Sequence, residues 1–218
     1  MPKLLTEFVG TFFLVLTIGL TVISDHPELA PLGIGAVLMA MVYMGGHVSG
    51  AHYNPAVTLA VWLRGKLPTR DVAPYMAAQT LGSLAASLLV AVVLNRPLRV
   101  APNIEATLAE FFLLELLFTF ALVLVVLNVA TARGTEGNPF YGLAIGFTVL
   151  AGAYASGPIS GGAFNPAVAI GPILVDVFLG EGETLGGLWV YLVATFAGGA
   201  LAAGLFRLQN PGDHAERA

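Results

Sequence analysis

Cysteine is absent from the 218 residues of this chain. It therefore carries no disulfide framework and no thiolate metal site, and its redox compartment is not written in its composition. Charge is almost as scarce. Only 10% of the residues are Asp, Glu, Lys or Arg, where a soluble domain carries about 25%. So few charges do not cover a water-facing surface. With 57% of the residues hydrophobic, the composition describes an integral membrane protein, its partner a lipid bilayer. The charges sit in loops and ends, so the net −4 says little about partners, and no basic patch suggests nucleic acid. The four histidines are scattered and lack paired carboxylates, so no metal or other cofactor is expected. A membrane enzyme finds no nucleophile–base pair to use. The first apolar run is interrupted early by Glu7 and shows no small-x-small cleavage site before Asp25. It is read as a retained membrane span, not a signal peptide.

What is present is a duplicated motif. Residues 49–57 read Ser-Gly-Ala-His-Tyr-Asn-Pro-Ala-Val, and residues 160–168 read Ser-Gly-Gly-Ala-Phe-Asn-Pro-Ala-Val. Asn is a preferred N-cap, because its side-chain oxygen accepts a free backbone N–H of the first turn. Pro suits the first helical position, where its missing N–H costs nothing. Each copy, Asn54-Pro55-Ala56 and Asn165-Pro166-Ala167, thus predicts a helix start. The first helix runs only from Pro55 to about Leu63 before Arg64, Gly65 and Lys66. That is roughly 14 Å, about half of a ~30 Å hydrocarbon core.

Six longer apolar spans surround these segments: about 4–23, 31–46, 72–94, 106–130, 139–155 and 186–208. Other landmarks recur in the same order. Glu7 opens span one and Glu115 lies in span four, 108 positions apart; Tyr75 in span three and Tyr191 in span six are 116 apart. One unit of three spans plus a half-helix is therefore used twice, about 1–94 and 104–208, within a single transmembrane domain. An odd number of full spans per unit turns the second copy upside down, an architecture known for broken helices that meet at the midplane. With both ends inside, inner segments carry Lys3, Arg64, Lys66, Arg70, Arg133, Arg207 and Arg217, and outer loops carry only Arg96 and Arg99. That bias fits the positive-inside tendency and puts both termini in the cytoplasm. Short termini and the lack of cysteine suggest a prokaryotic plasma membrane.

Two half-helices entering from opposite faces meet at their N-termini, each carrying roughly half a positive elementary charge. Cations are repelled there. The Asn54 and Asn165 amides offer donors to a passing oxygen. The approach segments, 45–53 and 157–164, read as too Gly-rich for helix, so their carbonyls are free to line a route.

This pattern resembles the aquaporin and aquaglyceroporin family over nearly the whole chain. The duplicated Asn-Pro-Ala, the paired Glu7 and Glu115 motifs and the His47-Val-Ser-Gly-Ala-His-Tyr-Asn54 run carry the resemblance. Pores of that family select by diameter, lining groups and electrostatic barriers. The resemblance implies an all-α fold of six tilted helices plus two re-entrant half-helices, a pore in each subunit, and a homotetramer passing water and small neutral solutes. One departure stands out. Most members place Arg directly after the second Asn-Pro-Ala, and here that residue is Val168. Aligned by distance from the two Asn residues, the other filter positions are Ile34, Ala153 and Gly162. Such a filter has no fixed charge, no His and no large aromatic. It points to uncharged solutes larger than water: polyols, urea-like molecules, hydroxides of boron or arsenic, or protonated organic acids. Tyr154 and Phe164 are the neighbours able to narrow it.

Other residues carry two readings. Glu7 and Glu115 are either a proton relay or acceptors for the N–H groups of the approach loops, the second being favoured. Glu110 reads as facing headgroups. His47 is a pH sensor or a brace of the inner vestibule, and His52 a brace or a pore-lining group. Gly82, Ala86, Gly198, Gly199 and Ala203 are small residues at helix-packing spacing that let spans three and six approach closely. Trp62 and Trp189 fit interface anchors. His26 and His214 read as solvated loop residues. The competing function is an ion-coupled secondary transporter, which would want carboxylates near the broken helices.

Overall fold

The computed structural model describes residues 1–214. Arg217 and the side chain of His214 lie outside the described residues. Among the described residues, eight α-helices form: α1 Pro2–Val22, α2 Ala30–Ser49, α3 Pro55–Leu63, α4 Thr69–Leu94, α5 Leu108–Thr131, α6 Tyr141–Ser160, α7 Pro166–Leu179 and α8 Leu188–Gln209. Six of them are long and apolar enough to cross a membrane, and α3 and α7 are the short pair. Pro sits in the first turn of α1, α2, α3 and α7, where a missing N–H is harmless. Helix α5 opens on a capping box between Thr107 and Glu110, so Glu110 serves its own helix end.

The packing is crosswise. Helix α1 packs on α2 and α4, and α5 packs on α6 and α8. Helix α2 meets α6, while α3 of the first half lies on α8 and α7 of the second half lies on α4. Helices α2 and α6 touch where a Cβ on Gly35 would stand 2.8 Å from the Gly146 carbonyl, and one on Gly146 2.5 Å from that of Gly35. Only glycine admits backbones that close. The small residues of α4 and α8 serve other partners than the sequence suggests. Gly82 brings α4 onto the Phe8 carbonyl of α1, Gly198 brings α8 onto Leu116 of α5, and Gly199 sits over Ala56 of α3. They join each of these spans to its own repeat and to a half-helix, not to each other.

A second expectation is corrected. Residues 45–49 and 157–160 are helical, although rich in glycine and including Pro158. Gly45 is there for space: a Cβ on it would collide with Tyr53 Oη. The helix ends persist because their last carbonyls find donors. Ser49 O accepts from Tyr75 Oη at 2.9 Å and Ser160 O from Tyr191 Oη at 2.7 Å. Gly50 and Gly161 then cap the two helices in the left-handed region, each at φ +88°. Only residues 50–53 and 161–164 are left as irregular backbone.

Candidate functional site

Each four-residue loop drops from a spanning helix to the Asn of a half-helix, and both take one conformation. Ala51 and Gly162 have φ of 52° and 63°, and Tyr53 and Phe164 have 49° and 48°. Left-handed backbone at three non-glycine residues is strained. It is held by two buried carboxylates. Glu7 accepts from Ser49 Oγ (2.6 Å), His52 N (3.0 Å), Tyr53 N (2.7 Å) and Gln79 Nε2 (2.7 Å). Glu115 accepts from Ser160 Oγ (2.7 Å), Ala163 N (3.1 Å) and Phe164 N (2.8 Å). Both are fully buried, so every loop N–H they satisfy would otherwise be stranded in an apolar core. With their oxygens so engaged, neither is left open to a coupling ion.

The half-helix caps form as their sequence dictates. Asn54 Oδ1 accepts from Ala56 N at 2.8 Å, and Asn165 Oδ1 from Ala167 N at 2.9 Å. The amide nitrogens then reach across the repeat boundary. Asn54 Nδ2 donates to Phe164 O at 2.9 Å, and Asn165 Nδ2 donates to Tyr53 O at 2.8 Å. The two half-helices are therefore tied tip to tip, and each amide retains a second N–H. Both Asn residues line a cavity of about 510 Å³. Pro55, Ala56, Pro166 and Ala167 are buried behind them as the first turns.

That cavity opens on the face of the loop 95–107, where Pro27, Glu28, Arg99 and Ala101 form its rim. Ile34, Ala153, Gly162 and Val168 all stand on its wall. The four come from four elements, two of them aliphatic and two without reach beyond Cβ. Tyr154 lines the same cavity near Gly157 and Pro158. Phe164 also lines it, with its ring buried against Phe118 at a centroid distance of 5.5 Å. Arg99 lies at the rim between Glu181 (2.9 Å) and Glu183 (2.5 Å), and its hydrogen bond to Glu183 raises its pKa.

A second cavity of about 540 Å³ opens on the opposite face, where Lys3, Lys66 and Arg133 stand. His47 is exposed on its wall. It has no hydrogen-bond partner among the described residues, so it braces nothing through a polar contact. His52 is a wall residue of both cavities, with Nδ1 3.1 Å from Thr58 Oγ1. Thr58 and Gln79, which complete this polar cluster, carry no motif and escape a sequence reading. The signal available was their position one helical turn past Asn54 and Tyr75.

Six spanning helices with two half-helices tied at their caps, between cavities open to opposite faces, define a membrane channel. Comparison with known proteins supplies the family. The major intrinsic protein family profile matches residues 1–206. The chain is 39% identical to aquaporin NIP1-4 of Oryza sativa subsp. japonica over 220 residues, 95% of this chain and 77% of that protein. It is 35% identical to nodulin-26 of Glycine max, covering 95% and 78% respectively. The aquaglyceroporin of Plasmodium falciparum shares its fold at a TM-score of 0.85 and 23% identity, over 97% and 98% of the two chains. The chain belongs to the major intrinsic protein family. It is a multi-pass membrane protein of the inverted-repeat, aquaporin-like fold. It is a passive channel for water and small solutes and not an enzyme.

Proposed function

We propose that this channel admits small uncharged solutes larger than water, through a ring of Ile34, Ala153, Gly162 and Val168 and past the paired donors of Asn54 and Asn165. What supports the reading is that these four positions line one open cavity and bring it no charge, no imidazole and no aromatic side chain. An Arg at position 168 would add a long side chain and up to five donors. Val adds neither, so the opening is wider and neutral. Polyols, urea-like molecules, hydroxides of boron or arsenic and protonated organic acids are the classes that fit, because each is neutral and makes hydrogen bonds. Glu7 and Glu115 hold the loops in place. The chain is a single domain of two repeats, about 1–94 and 104–208. It works as a homotetramer in the plasma membrane, with both termini on the cytoplasmic side, where Lys3, Lys66 and Arg133 surround the inner cavity.

The test is stopped-flow light scattering on proteoliposomes under gradients of water, glycerol, urea, boric acid and arsenous acid. Val168→Arg lowers solute flux more than water flux. An equal loss of both overturns the placement of Val168 in the ring.

A further inference from the structure

Basic residues gather on the cytoplasmic side of a membrane protein, but that tendency does not say where on that side they stand. Here three of them stand on the wall of one cavity. Lys3 comes from the first turn of α1, Lys66 from the loop after α3 and Arg133 from the loop after α5. None of the three side chains has an acid partner among the described residues. Their basic neighbours differ: the Arg64 guanidinium is taken by Asp213, and Arg70 lies beside Asp71. Asp213 holds Arg133 by its backbone N–H at 3.0 Å, which fixes the loop while the guanidinium stays without an acid.

Among the described residues, Glu136 is the one acid on this wall, so three cations against one carboxylate leave the lining at a net +2. The outer rim has the opposite sign, since Arg99 is tied between Glu181 and Glu183 and Glu28 stands nearby. Two neutral groups add to the inner wall. The His47 ring and the Tyr141 hydroxyl both line it, and neither has a hydrogen-bond partner among the described residues. The volume, about 540 Å³, is that of a small-molecule site, ~300–1,000 Å³. A phosphate ester matches this lining. A phosphomonoester carries about −1.5 to −2 charges near neutral pH and three strong acceptor oxygens. Arg binds such a group through its planar fork and Lys as a point charge.

We propose that the inner cavity is a binding site for phosphate esters, with Lys3, Lys66 and Arg133 facing the phosphoryl oxygens, and that an ester seated there slows the channel from the cytoplasmic side. The best fit is the phosphomonoester of a small polyol. Its hydroxyls are of the kind the pore admits. Its dianion does not follow past Val42, Val126 and Ile145, deeper on the same wall, where lost hydration finds no replacement. The inference rests on the reading of the channel as one for small uncharged solutes and adds a ligand that regulates it.

The experiment uses the full-length protein in phosphatidylcholine liposomes. Glycerol 3-phosphate, or sodium chloride of equal ionic strength and osmolarity, is present on both faces, so channels of either orientation meet it. The ratio of the two glycerol permeabilities cancels the number of folded channels. At roughly 10 mM the ester lowers glycerol permeability about twofold or more, as a millimolar site requires. Combining Lys3→Ala, Lys66→Ala and Arg133→Ala keeps the permeability in chloride and abolishes the inhibition. Lys66→Glu alone, which reverses one of the three charges, removes most of it, and Arg99→Ala at the outer rim leaves it intact. A second arm replaces the ester by phosphatidylglycerol in the bilayer. Slowing by the lipid that the triple variant abolishes supports the same site with a headgroup as its ligand; slowing by the ester alone supports a soluble one. No slowing in either arm overturns the proposal, as does equal slowing of wild type and triple variant, and both leave the channel standing. Wild-type vesicles no faster to glycerol than empty ones would remove the channel reading itself.

Discussion

At the scale of single residues, the pore is built on side chains that leave no room for a substitute. Tyr53 illustrates this. It is fully buried, its N–H binds Glu7, and its hydroxyl donates to Met41 O at 2.9 Å. Gly10 and Gly45 stand against its ring and hydroxyl. Gly45→Ala forces a methyl into that hydroxyl and costs about 1–3 kcal/mol. Tyr53→Phe alone forfeits one hydrogen bond, about 1 kcal/mol. Because the phenyl ring also relieves the clash, the double variant loses less than the sum. Thermal unfolding in detergent reads this directly, and strict additivity would show that the two residues do not compete for one space. The Asn caps work at the same scale. Asn54→Ala removes a cap and a cross-repeat bond together, an expected loss of about 2 kcal/mol, where a cap on an isolated helix would lose about 1.

At the scale of elements, the two halves repeat one solution with different reserves. Each loop is hung from a helix C-terminus by a tyrosine and from a buried carboxylate by its N–H groups. Tyr75→Phe and Tyr191→Phe each remove one bond to the last carbonyl of a helix. Each is expected to lower stability by about 0.5–1.5 kcal/mol. They share no partner, so the pair adds. The double variant's melting shift against the two single shifts checks this. The carboxylates are not equal. Glu7 has Gln79 as a fourth donor, while Thr195 at the matching place bonds back to Tyr191 O.

At the scale of the whole molecule, charge and closure decide what passes and what holds the bundle shut. The half-helices meet N-terminus to N-terminus, and two partial positive ends at one midplane oppose cations even without a filter Arg. A dehydrated ion stays expensive in an apolar constriction. Purified protein in liposomes is therefore expected to pass no sodium or proton current at neutral pH, and a measurable current would show that the dipoles alone do not suffice. The chain's end locks its opposite face. Arg64, at the close of α3, pairs with Asp213 at 3.1 Å and lies over the Phe206 ring. Asp213 also accepts from Arg133 N at 3.0 Å. Asp213→Ala leaves a buried guanidinium unpaired, an expected cost of about 3–5 kcal/mol. Pairing it with Arg64→Met recovers much of that in the melting temperature, since no buried charge is then left alone.

The fold was legible because its signals are local or periodic. Apolar runs mark the spans, Asn-Pro-Ala marks each half-helix, and repeat parity alone forces the second unit to invert. The extension of α2 and α6 through glycine and Pro158 was not legible, because helix ends are decided by distant donors such as Tyr75, Tyr191 and Asn103. Composition of the segment itself pointed the other way. The partners of Gly82 and Gly198 were hidden for a similar reason: small-residue spacing says that a helix is approached closely, not by which neighbour.

The amino-acid sequence by itself determined a membrane chain with six spans, two capped half-helices and an uncharged Val168 directly after the second Asn-Pro-Ala, since each follows from composition, period or one motif. Only the tertiary structure decided that the Asn amides cross to the opposite repeat's carbonyls, that Glu7 and Glu115 are consumed by the loops, and that Val42, His52, Val126 and Ile145 line both cavities. Those are meetings between residues far apart in the chain, and no local pattern encodes which of many apolar faces will come together.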